Sequence, residues 1–103
     1  MSVLMEYSIF PTDKGDSVSD YVSRVIDMVK KEGVPYKLTA MGTIVETETM
    51  EEALAIVQKS YDILDKDAER VYSTAKFDIR KGKSNRLEGK IQSVEEKIGK
   101  VNN

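Results

Sequence analysis

A chain of 103 residues, 40% of them apolar, suffices for one modest hydrophobic core and is too short for two. Its 16 Lys and Arg stand against 18 Asp and Glu, so it lacks the strongly basic face of a nucleic-acid binder, and no stretch approaches the ~20 apolar residues of a membrane span. The absence of Cys and His excludes disulfides, thiolate or imidazole catalysis, and metal sites built on those ligands.

The start, Met1 to Glu6, has neither the basic residues nor the apolar run of a signal peptide, and a cytoplasmic location is expected. Val3 to Phe10 alternates with the period of a half-buried strand, Val3, Met5, Tyr7 and Ile9 on one side, Leu4, Glu6, Ser8 and Phe10 on the other. Pro11 to Gly15 ends it. Ser17, with Asp20 three residues on, predicts the N-cap of a helix with apolar Val18, Tyr21, Val22, Val25 and Val29, and Gly33 stands at its C-cap. Tyr36–Ala40 and Thr43–Thr47 read as a hairpin turning at Gly42. Thr49 with Glu52 forms a capping box for a second amphipathic helix carrying Met50, Ala53, Leu54, Val57, Tyr61 and Leu64. Arg70–Arg80 is a fourth strand, with Val71, Ala75, Phe77 and Ile79 turned inward and Ser73 the polar member of that set.

The order βαββαβ is that of the split βαβ, ferredoxin-like α+β unit, with both helices on one face of a four-stranded antiparallel sheet, and residues 1–103 form a single domain. A last helix, about Ser84 to Val101, carries Leu87, Ile91, Val94, Ile98 and Val101 in a heptad stripe on an otherwise polar surface. The stripe either closes over its own sheet or packs on a neighbouring subunit.

The open sheet face then displays Leu4, Glu6, Ser8 and Phe10 beside Tyr72, Thr74, Lys76 and Asp78. The hairpin adds Thr39 and Met41 and either Ile44 and Glu46 or Thr43 and Val45. Apolar groups among charges suit a ligand or assembly surface, and equally an ordinary face with cross-strand ion pairs. Glu6, Glu46 and Asp78 can also be read as a metal or acid–base group, although no Gly-rich phosphate loop accompanies them. The cations of Arg80 to Arg86, leading into a helix N-terminus, could seat a phosphate or form a plain solvated turn.

Four stretches, Glu6–Pro11, Ser17–Val22, Ala40–Glu46 and Arg70–Arg80, resemble the successive signatures of the small thiamine-binding-protein family. The resemblance implies a ferredoxin-like fold, association into dimers and tetramers, and non-catalytic binding of thiamine or its hydroxymethylpyrimidine part, with no metal and no other cofactor. Carried over by residue, it implicates Glu6 and Ser8, Met41, Gly42, Thr43 and Glu46, and Lys76, Asp78 and Arg80. Thiamine offers a thiazolium cation and an aminopyrimidine edge, so carboxylates at Glu46 or Glu6, hydroxyls at Ser8 and Thr43, and ring cover from Met41, Phe10 or Tyr72 suit it. Against this binding role stand an assembly module with an incidental pocket and a small carboxylate- or metal-dependent enzyme.

Overall fold

A computed structural model describes the whole chain, Met1–Asn103. It runs β1 Ser2–Pro11, α1 Ser19–Glu32, β2 Tyr36–Thr39, β3 Gly42–Thr47, α2 Met50–Asp65, β4 Val71–Arg80 and α3 Arg86–Ile98. The four strands pair antiparallel in the order β2-β3-β1-β4. This is the ferredoxin-like α+β arrangement with an added C-terminal helix. Strand parity decides what each face carries. Register pairs Val3 with Thr47, Met5 with Val45 and Tyr7 with Thr43 on the helix-covered face, leaving Ile44 and Glu46 beside Glu6 and Leu4 on the other.

The core joins Val3, Met5, Tyr7 and Ile9 of β1 and Val45 of β3 to Val25 and Val29 of α1 and Ala53, Ile56 and Leu64 of α2. Ser60 enters this apolar layer because its bonds are complete. Its hydroxyl donates to the Ile56 carbonyl at 2.7 Å and so accepts from the Tyr7 hydroxyl at 3.0 Å. Burial of that phenol raises the Tyr7 pKa, a rise only partly offset by the Ser60 bond.

Helix ends show where local signals prevailed and where they did not. Gly33 closes α1 in the left-handed conformation at φ 78°, as expected of a C-cap glycine. At the start of α1, however, Val18 takes the N-cap position without a side-chain bond, and Ser17 caps nothing. Asp20, the expected box partner, instead pairs with Arg24 one turn on at 3.2 Å. Thr49 does cap α2: its hydroxyl accepts from the Glu52 N–H at 3.1 Å and donates to the Glu52 carboxylate at 3.0 Å. Replacing Thr49 with alanine should cost about 1 kcal/mol, a fall of roughly 4–8 °C in melting temperature by circular dichroism.

The hairpin turns at Ala40–Met41 rather than at Gly42, which already belongs to β3. The Thr39 hydroxyl organises the turn, accepting from the Met41 and Gly42 N–H groups and donating to the Gly42 carbonyl at 2.8 Å. Gly42 is needed for another reason: a Cβ there would lie 3.1 Å from the Tyr7 carbonyl oxygen. The cover expected over β4 is incomplete. Val71 and Phe77 are half-buried on its inner face, whereas Ala75 and Ile79 stay exposed.

The last helix lies against the face opposite α1 and α2. It is shorter than the apolar stripe suggests, starting at Arg86 after a left-handed Asn85 and ending before Gly99. Leu87 is buried and Ile91 half-buried on the chain's own sheet, beside Leu4 and Ile44. Farther along, Val94 is exposed and Ile98 is 73% exposed. The stripe thus closes over its own sheet at Leu87 and Ile91 and is exposed at Val94 and Ile98.

Candidate functional site

The outer faces of β1 and β4 form a ladder of directly opposed pairs, Leu4–Asp78, Glu6–Lys76, Ser8–Thr74 and Phe10–Tyr72. The pairs interact by type. Glu6 and Lys76 form an ion pair at 3.1 Å, the Ser8 and Thr74 hydroxyls lie 3.2 Å apart, and the Phe10 and Tyr72 rings meet tilted at 5.9 Å. Along this ladder the surface passes from charged to hydroxylated to aromatic.

Glu46 lies off the ladder in a buried network. Only 7% exposed, it accepts from the Ser2 hydroxyl at 2.5 Å and from the Arg86 and Leu87 main-chain N–H groups, each at 3.0 Å. It therefore caps α3 from a strand forty residues earlier in the chain. Arg86, 6% exposed, completes the clasp: Nε donates to the Ser2 hydroxyl at 3.0 Å, Nη2 to the carbonyls of Ser2 and Asp78, and Nη1 meets the Asp78 carboxylate at 3.0 Å. Burial pushes the Glu46 carboxyl up, but the Ser2 hydroxyl, the two N–H groups and the Arg86 charge together hold it below the ordinary range. The Asp78 carboxyl is lowered by its bond from Lys90 at 2.9 Å and by Arg86.

These contacts reassign several residues. Glu46 has both oxygens occupied and faces α3, so it is not grouped with a ligand surface. The helix N-terminus that could have seated a phosphate is filled by this same carboxylate. Arg80 ends β4 opposite Ser2, exposed and without an ion pair. Glu6, Glu46 and Asp78 do not converge, and no group of three acidic side chains is placed to hold a metal ion.

The other candidates gather where β1 outruns its neighbour. Pairing of β1 with β3 stops at Tyr7–Thr43, while pairing with β4 continues to Pro11–Val71. From Ser8 to Phe10 one flank of the β1 main chain therefore has no strand partner. A cleft of about 370 Å3 opens along it, walled by Val18, Val22 and Ile26 on one side and by Leu38 and the hairpin tip on the other. Met41, Gly42 and Thr43 line it, and Ser8 and Phe10 border it, their side chains sent to the outer face by strand parity. Thr43 is 5% exposed on the inner face. A second hollow, about 390 Å3, lies across β1 and is lined by Glu6, Ser8, Thr74, Lys76 and Met41. Tyr7, Ser8 and Met41 are common to both.

Sequence reasoning missed Ser2 and Arg86, whose roles come from contacts remote in the chain, and it missed the α1 wall. A third cleft, about 370 Å3, lies between α3 and the sheet over Leu4 and Ile44, with Glu6, Lys76 and Asp78 at its rim.

No helix is long and apolar enough to cross a membrane. The UPF0045 protein of Methanocaldococcus jannaschii is 37% identical over 94 residues, covering 91% of this chain and 93% of that protein. Its crystal structure superposes with a TM-score of 0.82 over 92% of this chain and 97% of that one. A UPF0045 protein of Mycobacterium bovis is 34% identical over 95 residues, covering 92% of this chain and 93% of that one. A Thermotoga maritima structure, whose name proposes a role in thiamine biosynthesis or salvage, shares the fold at 21% identity and a TM-score of 0.78, over 91% of this chain and 99% of that one. The family described as thiamine-binding protein matches residues 5–95, and the chain belongs to that family.

Proposed function

We propose that the protein binds thiamine or a related aminopyrimidine without turning it over, in the cleft beside the hairpin tip, and does so as a self-associated molecule. The observation that carries this reading is the unpartnered flank of β1 from Ser8 to Phe10, lying along an apolar cleft that also receives Thr43. Main-chain N–H and C=O groups on an open strand flank offer the alternating donors and acceptors that an aminopyrimidine edge needs. Val18, Val22, Ile26 and Leu38 supply apolar cover for the ring. A two-ring ligand placed there extends past Met41 toward the outer hollow, where the Glu6 carboxylate suits a thiazolium cation. The family description agrees with this chemistry. Binding without turnover is supported by the pairing of Glu6 and Asp78 with cations and of Glu46 with hydrogen-bond donors, which leaves these carboxylates poorly placed as proton carriers.

Thermal-shift and calorimetric titrations with thiamine, its phosphates and hydroxymethylpyrimidine test the reading, since a ligand specific for the native state raises the melting temperature. Thr43→Val should weaken binding of both thiamine and hydroxymethylpyrimidine, by about 2–10-fold for one lost hydrogen bond. Glu6→Gln should weaken thiamine and leave hydroxymethylpyrimidine unchanged, because only thiamine carries the thiazolium. No shift with any of these compounds would overturn the proposal.

A further inference from the structure

The cleft between α3 and the sheet, about 370 Å3, lies apart from the hairpin tip and shares only Glu6 and Lys76 with the outer hollow. Its floor draws on three elements, with Leu4 from β1, Ile44 from β3, and Leu87 and Ile91 from α3. Leu87 is buried, and the other three are half-buried. At Leu4 and Glu6, β1 is paired on both sides, so its main-chain groups are consumed within the sheet. The floor therefore offers branched aliphatic contact and no open hydrogen-bonding edge. That surface suits a hydrocarbon chain.

The charges around this floor are unequal. Lys76, Arg86 and Lys90 line the cleft against Glu6 and Asp78, three cations to two anions. Glu46 is not among the lining groups, and its charge is met by the α3 N–H groups and the Ser2 hydroxyl. Lys76 answers Glu6 at 3.1 Å, whereas Asp78 takes two cations, Arg86 at 3.0 Å and Lys90 at 2.9 Å. Arg86 is buried and fixed by three further bonds to Ser2 and the Asp78 carbonyl, so it neutralises Asp78 without help from Lys90. The surplus charge thus falls on Lys90, an exposed side chain free to turn to another anion. Lys76 and Asp78 are two residues apart on one face of β4, about 7 Å along the strand, so the two ammonium groups flank the same mouth.

We propose that this cleft is a second binding site, for a small amphiphilic carboxylate whose hydrocarbon chain lies on the Leu4, Ile44, Leu87 and Ile91 floor and whose head sits between Lys90 and Lys76. The site goes beyond the thiamine reading and requires no thiamine. An anionic head takes up the surplus positive charge at the mouth, where a cationic head would add to it. The chain replaces water over four aliphatic side chains that the fold leaves incompletely covered.

Octanoate titrated into the full chain tests the site, with affinity read by calorimetry and location by methyl NMR. The methyl signals of Leu4, Ile44, Leu87 and Ile91 should shift together. Hexanoate should bind roughly 5–15-fold more weakly, for the loss of two CH2 groups on the floor. Octylammonium, with the same chain and the opposite charge, should not bind. Lys76→Gln combined with Lys90→Gln, both at exposed positions, should weaken octanoate by roughly 3–10-fold and leave the fold intact. No heat and no methyl shift with octanoate overturns the site. Shifts centred on Val22 and Leu38 place the acid in the hairpin cleft and overturn its location. Octylammonium binding as tightly as octanoate, or wild-type affinity in the double variant, overturns the anionic head. None of these outcomes depends on thiamine, so failure here is distinguishable from failure of the thiamine reading.

Discussion

Replacing Glu46 with alanine should detach α3 and destabilise the protein by about 3–5 kcal/mol, since a buried donor left without its acceptor costs about 1–3 kcal/mol and three donors share this carboxylate. The Arg86 guanidinium would keep its ion pair with the Asp78 carboxylate, while the Arg86 and Leu87 N–H groups and the Ser2 hydroxyl would lose their acceptor. The expected readout is a fall in melting temperature of roughly 12–40 °C, with loss of amide protection concentrated in Arg86–Ile98. Retained protection across α3 would show that Leu87 and Ile91 hold the helix without the clasp. Because this substitution acts on the fold, its effect on ligand affinity cannot report a direct contact. Thr43 and Glu6 are the residues through which binding is tested.

The same clasp sets an acid limit. Glu46 and Asp78 titrate below their unfolded values, so each contributes stability that is present above the unfolded pKa and lost as pH falls through the folded one. For Glu46 the ordinary value is 4.5, so α3 should stay docked near neutrality and begin to release only below that pH. Hydrogen exchange or circular dichroism followed from pH 7 downward checks this, and Glu46→Gln should flatten the dependence.

Gly42→Val should cost about 1–3 kcal/mol and abolish binding in the cleft beside the hairpin tip. The added Cβ would press on the Tyr7 carbonyl, which belongs to a strand paired on both sides and has little freedom to retreat. Relief requires β3 to move from β1 at the point where the unpartnered flank begins, changing the width of the cleft. Denaturant unfolding measures the first effect and calorimetry with hydroxymethylpyrimidine the second. A stable variant with wild-type affinity would place the ligand elsewhere, and the cleft under α3 would be the next location to test.

Much of this architecture was legible along the chain. Alternation in β1 and β4, the Thr49 capping box and the Gly33 terminus are local devices whose physics involves a few neighbouring residues, and they operate here as read. Ser17 does not cap because α1 begins at Ser19 with Val18 in the N-cap position, one residue beyond the serine, a shift that residue type does not reveal. Gly42 was assigned to the turn because glycine favours turns, whereas here it is needed for a close approach between strands. Of the candidate site, Ser8, Phe10, Met41, Gly42 and Thr43 do assemble around one cleft, and Glu46 and Arg80 fall away from it.

The pattern of apolar and polar residues by itself determined the order of elements, the two faces of the sheet and the impossibility of His- or Cys-based chemistry, because periodicity and composition are properties of a single strand or helix. Tertiary structure alone decided what Glu46 does, which end of the α3 stripe is covered and where β1 lacks a partner. Each of these depends on register, on how far one strand extends beyond another, and on contacts between residues some forty to eighty positions apart.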